Sequence, residues 1–310
     1  MKALGTSLIA LAILWVAVEL GMAQVPRHGG KPMTLATIEG VELEYDLRGS
    51  GEPVVLIHAG IFADWFKPLV EEPGLTSRYR VVTYHRIGYA GSSRVPGPVS
   101  IADQAGHLRG LMRHLGIPRA HLVGHSSGGN IALQLALHAP ELVHSIVLME
   151  PALPVTTLDQ ERLLSLRAEL APALAAYRAG DKARAIDGFM RGVSGPDYRA
   201  VVDRVLPGAF DQAVRDADTF FGQELPAIQQ WSLRREDAAR ITQPVLSVLG
   251  AKSPQVSPIW MERHQMVLSW MLKAEGFVLP DATHALHVEY PRAVAEALAA
   301  FFARHPVKAP

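Results

Sequence analysis

The sequence predicts an α/β protein in which a mostly parallel central sheet is flanked by helices and interrupted by an inserted helical cap. Short continuous apolar runs such as PVVLIHAG alternate with helical segments, which is typical of strands buried on both faces of a parallel sheet. From about Leu158 to Arg240 the pattern is helical only. The alternation of strand and helix resumes at PVLSVLG, so the helical stretch is predicted to be an insertion.

The predicted elements follow one another in a consistent order. Two β-like runs around Glu39-Gly40 form a hairpin signal, and buried strands follow at PVVLIHAG, YRVVTYHRIG, AHLVGHSS and LVHSIVLME. Apolar residues at helical spacing predict a helix that Ser100 caps and Gly116 ends. After the cap come a strand at PVLSVLG, a helix at WMERHQMVLSWML, a strand at GFVLP and a final helix. The core is therefore expected at residues 34–157 and 241–310, and the cap at residues 158–240.

Composition excludes several classes of function. Lys plus Arg and Asp plus Glu number 30 each among 310 residues, so no basic surplus favours nucleic-acid binding. The absence of cysteine excludes disulfides, a cysteine nucleophile and thiolate metal sites. No His/Asp/Glu cluster has metal-ligand spacing, and no G-x-G-x-x-G motif opens a helix after a strand. We therefore expect neither a metal nor any other cofactor, and a small molecule as the partner.

The amino-terminal segment has the pattern of a secretory signal peptide. Lys2 precedes an apolar run from Ala3 to Val18, and Gly21-Met22-Ala23 offers a small-residue cleavage site. The alternative is an uncleaved membrane anchor, but the run is short for a span and Glu19 interrupts it. We expect a signal peptide over residues 1–23, a linker over residues 24–33, and a secreted or periplasmic mature protein without a stable membrane span.

The strongest chemical signal is Gly124-His125-Ser126-Ser127-Gly128, which matches G-x-S-x-G between an apolar strand and a helix. In that context the serine lies on a strained turn that raises its hydroxyl above the sheet. The flanking glycines allow close backbone approach, and the helix amino terminus favours developing negative charge. Ser126 is the predicted nucleophile.

With these motifs the chain from about Thr34 onward resembles the α/β-hydrolase superfamily. The matching segments are HAGIFADW, YHRIGYAGSS, HLVGHSSGGN and DATHALHVEYP. The resemblance implies that His284 is the general base, with Glu289 and Pro291 at the family's offsets and Thr283 where the family often has glycine. His287 is the rival base. It also implies an oxyanion hole built from the amides of Ser127 and Gly60, with Ile61 as the substitute for Gly60.

The catalytic acid departs from the common family pattern. The resemblance places it after the strand PVLSVLG, where this chain has Ser253, which carries no charge. The family has a second solution, in which the acid lies at the end of the next strand after the helix that follows the nucleophile turn, or elbow. In this chain that strand is LVHSIVLME, and the acid is Glu150. Burying a carboxylate there is costly without a partner, and His284 would be one. The alternative is that Glu150 pairs with a loop amide or an arginine, while Asp281 is expected to shape the turn before His284.

These residues predict a serine hydrolase that acts on carboxylic esters or related acyl compounds through an acyl-enzyme. Two alternatives remain open. One is other serine-dependent chemistry on the same fold, namely lactone or carbon–carbon bond hydrolysis or perhydrolysis; the other is a noncatalytic protein that binds a ligand beneath the cap. Ile61, Phe221 and Trp231 are the predicted pocket residues.

Overall fold

The computed structural model describes residues 33–154 and 160–307. The predicted signal peptide and residues 24–32 of the predicted linker lie outside the described residues, as do residues 155–159 at the junction of core and cap. Within the part of the chain that is described, no helix is both long and apolar enough to cross a bilayer.

A single eight-stranded sheet forms the centre of the molecule, in the order β1-β2-β4-β3-β5-β6-β7-β8. β1 pairs with β2 and β2 with β4 in antiparallel fashion, while the remaining neighbours are parallel. This confirms the predicted mostly parallel sheet. The strands are β1 (Thr34–Ile38), β2 (Val41–Arg48), β3 (Glu52–Ile57), β4 (Tyr79–Tyr84), β5 (Ala120–His125), β6 (Val143–Met149), β7 (Val245–Gly250) and β8 (Ala274–Leu279).

Helices cover both faces of the sheet. Those of the core are α1 (Lys67–Val70), α2 (Pro73–Thr76), α3 (Ile101–His114), α4 (Ser127–His138), α11 (Ser253–Val256), α12 (Ile259–Trp270), α13 (Leu286–Glu289) and α14 (Pro291–Arg304). α3 begins as predicted at Ser100, whose hydroxyl accepts from the Asp103 amide while the Asp103 carboxylate accepts from the Ser100 amide. Gly116 follows its end at φ +63°, a left-handed conformation that glycine adopts without strain.

The core has two apolar layers, because side chains alternate between the faces of each strand. On one face α3, α4 and α12 contribute side chains to the apolar layer that contains the fully buried Leu122 of β5. On the other face α1, α2 and α14 contribute to the layer that contains Val123 of the same strand. Strands buried on both sides explain why the sequence shows continuous apolar runs rather than alternation.

The insertion between β6 and β7 contains helices joined by short loops and no strand among its described residues. It contains α5 (Gln160–Arg178), α6 (Lys182–Ser194), α7 (Tyr198–Val205), α8 (Ala209–Asp218), a π-helical turn (Thr219–Glu224), α9 (Leu225–Gln230) and α10 (Arg235–Ala239). Its apolar core extends from Ala173 to Leu225 and also contacts Ile61 and Trp65 of the loop after β3. Leu233 and Ala238 instead pack against the sheet with the core helices. The helical insertion thus ends with α10 at Ala239, and its last part packs on the core.

Candidate active site

Ser126 lies on the turn between β5 and α4 in a strained backbone conformation, with φ 50° and ψ −118°. Three backbone hydrogen bonds hold it there. Its amide donates to Met149 O at 3.0 Å, and its carbonyl accepts from Gly129 N at 2.9 Å and from Ala152 N at 3.0 Å. Such strain persists only where the surroundings over-determine the conformation, and it is common at functional sites.

The glycines around Ser126 are required by close backbone approach. A Cβ atom at Gly128 would lie 2.1 Å from the carbonyl oxygen of Ile57 at the end of β3. A Cβ atom at Gly124 would lie 2.5 Å from the carbonyl oxygen of Gly128. Any larger residue at either position would clash with backbone atoms, so the turn that carries Ser126 requires glycine at both positions.

His284 and Glu150 form a buried pair beside this turn. The two residues are 134 positions apart, yet His284 Nδ1 lies 2.7 Å from Glu150 Oε2. The second carboxylate oxygen, Oε1, accepts from the Gly250 amide at 2.7 Å. Glu150 is only 2% exposed and directly follows β6 at φ 44°. Both carboxylate oxygens thus accept a hydrogen bond. When Nδ1–H donates to Glu150, Nε2 is the imidazole nitrogen that can accept a proton.

Burial works against charge on both partners. It raises the pKa of Glu150 above its usual value, while the hydrogen bond from the Gly250 amide acts in the opposite direction. Burial lowers the pKa of His284, and the nearby Arg263 cation lowers it further. His284 is therefore held as a neutral imidazole at rest, which is the form that can accept a proton.

Several groups fix the orientation of His284. The Trp260 indole stacks on its ring, with centroids 4.0 Å apart and planes inclined by 16°. His125 Nε2–H donates to the carbonyl oxygen of His284 at 2.9 Å. Glu289 accepts from both the amide and the hydroxyl of Thr283 at 2.7 Å. The threonine that departs from the family pattern therefore braces the loop that carries His284.

The predicted oxyanion-hole amides lie at the same place. Ser127 is the first residue of α4, where amides have no acceptor within the helix. The Gly60 carbonyl accepts from Trp65 Nε1 at 2.8 Å, whereas its amide donates to no backbone carbonyl among the described residues. A Cβ atom at Gly60 would lie 2.4 Å from the Phe220 ring of the cap, so only glycine fits. Ile61 follows at φ 71° and lines the same pocket.

Ser126, Ser127, Gly60 and His284 face one cavity of about 180 Å³ between the core and the cap. Its wall is mainly apolar, with Glu169 and Arg263 as its charged members. The other lining residues are Ala59, Ile61, Trp65, Ala152, Leu170, Gly188, Phe189, Met190, Gly192, Val193, Phe220, Leu225, Ile228, Ser257, Ile259 and Trp260. The arrangement brings a hydroxyl, an imidazole and unpaired amides to an enclosed apolar space.

Two of the three predicted pocket residues lie elsewhere. Phe221 is buried inside the cap, stacked on Tyr177 with centroids 5.0 Å apart, and its neighbour Phe220 lines the cavity instead. Trp231 packs against the core helices and donates from Nε1 to Gln134 Oε1 at 2.6 Å. Both predictions were wrong because helical periodicity identifies a buried face without revealing which neighbour covers it.

The remaining candidates are also placed. The rival base His287 is fully buried against Trp65 and Phe66 and lies outside the cavity lining. Asp281 forms an exposed ion pair with Lys252 Nζ at 3.1 Å. Ser253 is buried beside Gly250, the residue whose amide holds Glu150. No group of three or more His, Asp or Glu side chains within the described ranges could hold a metal ion.

A buried ion pair that the sequence analysis missed lies beside Ser127. Arg86 Nη2 is 2.7 Å from Glu224 Oε1, and Arg86 Nη1 donates to Gln104 Oε1 at 2.6 Å. The hydroxyls of Ser127 and Tyr89 both donate to the Glu224 carboxylate. Arg86 lies in the YHRIG segment at the end of β4, and this segment carries part of the family resemblance, so it could have identified Arg86 as a candidate. Glu224 ends the π-helical turn of the cap and carries no such signal.

Comparison with known proteins agrees with the geometry. The family model described as alpha/beta hydrolase fold matches residues 52–291. Together with the sheet order and the elbow, this match shows that the chain belongs to the α/β-hydrolase fold family. Among solved structures, the enol-lactonase from Burkholderia xenovorans LB400 superimposes with a TM-score of 0.73 at 22% identity. That likeness covers 87% of this chain and 100% of the lactonase.

Two curated relatives match different shares of the chain. A provisionally named carbamate hydrolase, RutD, of Caulobacter segnis is 37% identical over 124 residues, which is 38% of this chain and 45% of that relative. The acetoin-cleaving dihydrolipoyllysine-residue acetyltransferase component of Pseudomonas putida is 28% identical over 84% of this chain and 66% of its own length. The chain thus spans less than half the length of the first of these curated relatives.

Proposed function

We propose that the protein is a serine hydrolase of carboxylic esters or closely related acyl compounds, including lactones. One observation carries the proposal: a buried His284–Glu150 pair lies at the same cavity as Ser126 on its strained turn. A nucleophile, a base and a group that orients the base form the constellation needed for acyl transfer.

In the proposed reaction Ser126 Oγ attacks the acyl carbon while His284 Nε2 accepts its proton. The oxygen of the tetrahedral intermediate accepts hydrogen bonds from the amides of Ser127 and Gly60. His284 then returns the proton to the leaving group, and the acyl group stays on Ser126. Water, activated by His284, attacks the acyl-enzyme and releases the acid. Glu150 fixes the imidazole tautomer and stabilises the imidazolium that forms in each half-reaction.

The names of similar proteins support this class of bond. They include a carbamate hydrolase, an enol-lactonase and a thermophilic esterase from Thermogutta terrifontis, and each name describes cleavage at an acyl carbon. The apolar cavity wall suits an acyl chain better than a sugar or a nucleotide.

The test combines labelling with turnover. An organophosphonate is expected to label Ser126 alone, and a panel of p-nitrophenyl esters and lactones should be hydrolysed. Ser126→Ala should lower kcat by about 10⁴-fold or more, as deletions within a triad do. Ser77→Ala, at an exposed position after α2 and outside the cavity lining, is the control and should leave turnover unchanged. Absence of labelling together with absence of turnover on the whole panel would favour a noncatalytic ligand-binding protein.

We also propose that the chain is exported and cleaved before Gln24. The support is the sequence pattern of Lys2, the apolar run and the Gly21-Met22-Ala23 site. Amino-terminal sequencing of the protein from its native host should begin near Gln24. An intact Met1 on membrane-bound protein would instead establish the anchor.

A further inference from the structure

Arg263 is the cationic member of a mainly apolar cavity wall. It lies on α12, one helical turn after Trp260, and is held by two contacts. Its Nε donates to the carbonyl oxygen of Leu153 at 2.9 Å, and its guanidinium lies 5.2 Å from the centroid of the Trp260 ring. These contacts orient the planar guanidinium, whose two Nη groups are its other donors.

Arg263 is half-buried, and the nearby carboxylate of Glu150 is already held by His284 and by the Gly250 amide. Burial lowers the pKa of Arg263 to about 10, although Glu150 and Glu262 act to raise it. The side chain therefore remains charged at neutral pH. A half-buried cation in an apolar wall is stabilised by an anion that pairs with it, so this position favours a ligand that brings one.

We propose that Arg263 binds a carboxylate carried by the substrate, so that the preferred substrates are acyl compounds with a free carboxylate. This inference rests on the proposed function, because it assigns a substrate class to the same cavity. The chemistry favours a carboxylate over a phosphate. The guanidinium fork can bind either anion in bidentate fashion, but one cation balances a carboxylate fully and a phosphate, which carries about −1.5 to −2 charge at pH 7, only in part.

The charge distribution of the cavity also limits where that carboxylate can lie. Arg263 is the cation among the lining residues, and Glu169, the other charged residue of the wall, is exposed on the cap helix α5. Trp260 contacts both Arg263 and His284, so the cation lies on the His284 side of the cavity. A single carboxylate near the reacting bond fits this arrangement better than a polyanion.

The same position allows another role, which the experiment must separate. Arg263 is close enough to Glu150 and His284 to affect the pKa values of both. If it acted only through them, its removal would impair neutral and anionic substrates alike. If it binds a substrate carboxylate, the loss should be confined to substrates that carry one.

The experiment compares matched substrate pairs in the full chain. For the acyl side, mono-p-nitrophenyl succinate, glutarate and adipate are compared with p-nitrophenyl butyrate, valerate and hexanoate. For the leaving-group side, 4-acetoxybenzoate is compared with p-tolyl acetate. Ser126→Ala supplies the uncatalysed background. The protein without further substitution should prefer the anionic member of at least one pair, and that pair identifies the side that carries the carboxylate.

Arg263→Gln should then lower kcat/KM for the preferred anionic substrate by about 10²-fold, with a change of less than about threefold for its neutral partner. Arg263→Lys should restore part of the loss. Arg292→Gln, at an exposed position on α14, is the control and should change neither.

Equal losses on both members of each pair, or no preference in the unsubstituted protein, would overturn the inference. If Arg263→Gln does not fold, the preference in the unsubstituted protein and competitive inhibition by free adipate, but not hexanol, decide the question. Hydrolysis of neutral esters that depends on Ser126 would keep the proposed function intact when this inference fails. No hydrolysis and no labelling of Ser126 would instead overturn the proposed function.

Discussion

Two buried glutamates flank Ser126, and they have different kinds of partner. Glu150 and Glu224 are each 2% exposed. Glu224 accepts from the permanent cation Arg86 and from two hydroxyls, and it joins the cap to the core. Glu150 accepts from a backbone amide and from a histidine that burial keeps neutral.

The difference separates a structural charge from a catalytic one. The Arg86–Glu224 pair is already compensated, so little can change there during a reaction, and breaking it would strand a buried ion. Glu150 has no full positive charge hydrogen-bonded to it at rest. It gains one only when His284 takes a proton, and the interaction is then strongest in the transition state, where it lowers the barrier. Substitution by glutamine should therefore lower mainly kcat at Glu150 and mainly the free energy of unfolding at Glu224.

The largest expected effect tests the catalytic side. Glu150→Gln keeps the shape but removes the charge, so kcat should fall by roughly 10²- to 10⁴-fold while the fold is retained. Ser253→Asp added to it should restore part of the rate, because Ser253 lies beside Gly250, whose amide holds Glu150. Steady-state kinetics on a p-nitrophenyl ester measure both. A near-normal kcat for Glu150→Gln at neutral pH would refute the assignment.

The second effect tests the structural side. Glu224→Gln leaves the Arg86 cation buried without its counter-charge, so the free energy of unfolding should fall by about 3–5 kcal/mol. Urea unfolding measures this change. Adding Arg86→Met removes the stranded charge and should recover part of the stability. If instead Glu224→Gln retained stability and lost rate as Glu150→Gln does, the distinction between the two glutamates would be wrong.

A third effect concerns the histidines packed next to His284. Burial lowers the pKa of His287 well below 6.5, and its ring nitrogens have no hydrogen-bond partner among the described residues. Below pH 6.5 the unfolded chain binds a proton at His287 that the folded chain does not, so stability falls as pH falls. His287→Phe should therefore reduce the loss of unfolding free energy between pH 7 and pH 5 by about 2 kcal/mol.

His85 provides the contrasting case for the same measurement. Although burial acts to lower its pKa, hydrogen bonds to Asp64 and Glu44 raise it to about 9. His85 therefore adds stability that is complete below pH 6.5 and is lost as pH rises toward 9. His85→Gln should leave the change in unfolding free energy between pH 7 and pH 5 unaltered and reduce the change above pH 7.

The outcome that would contradict the His287 prediction is an equal change in unfolding free energy between pH 7 and pH 5 in His287→Phe and the unsubstituted protein. It would show that His287 is not held neutral.

The smallest expected effect separates two adjacent phenylalanines of the cap. Phe220 lines the cavity, whereas Phe221 packs within the cap against Tyr177. Phe220→Leu should shift the preference among p-nitrophenyl acyl chains by about three- to tenfold, because it changes the space open to the acyl group. Phe221→Leu is the matched control and should lower stability with little change in that preference. Equal shifts in both variants would mean that the packing of the whole cap, and not contact with Phe220, sets the acyl-chain preference.

Sequence reasoning identified the core strands along the chain and the turn that carries Ser126 for a physical reason. Buried parallel strands, helix caps and strained glycine turns depend on residues close together in the chain, so their patterns are visible locally. The Thr283–Glu289 brace is likewise short-range and follows a motif. Glu150 was predicted by combining a local signal, an acid at a strand end, with the family resemblance, whose usual acid position holds the uncharged Ser253.

The local pattern of the sequence thus determined the sheet, the helical insertion, the turn that carries Ser126 and the candidates His284 and Glu150. Only the tertiary structure decided that Phe220 rather than Phe221 faces the cavity, that Trp231 packs on the core, and that Trp260 stacks on His284. It also brought Glu224 to Arg86 across 138 positions of the chain. Periodicity shows that a helix face is buried, but the packing of distant elements decides what that face contacts.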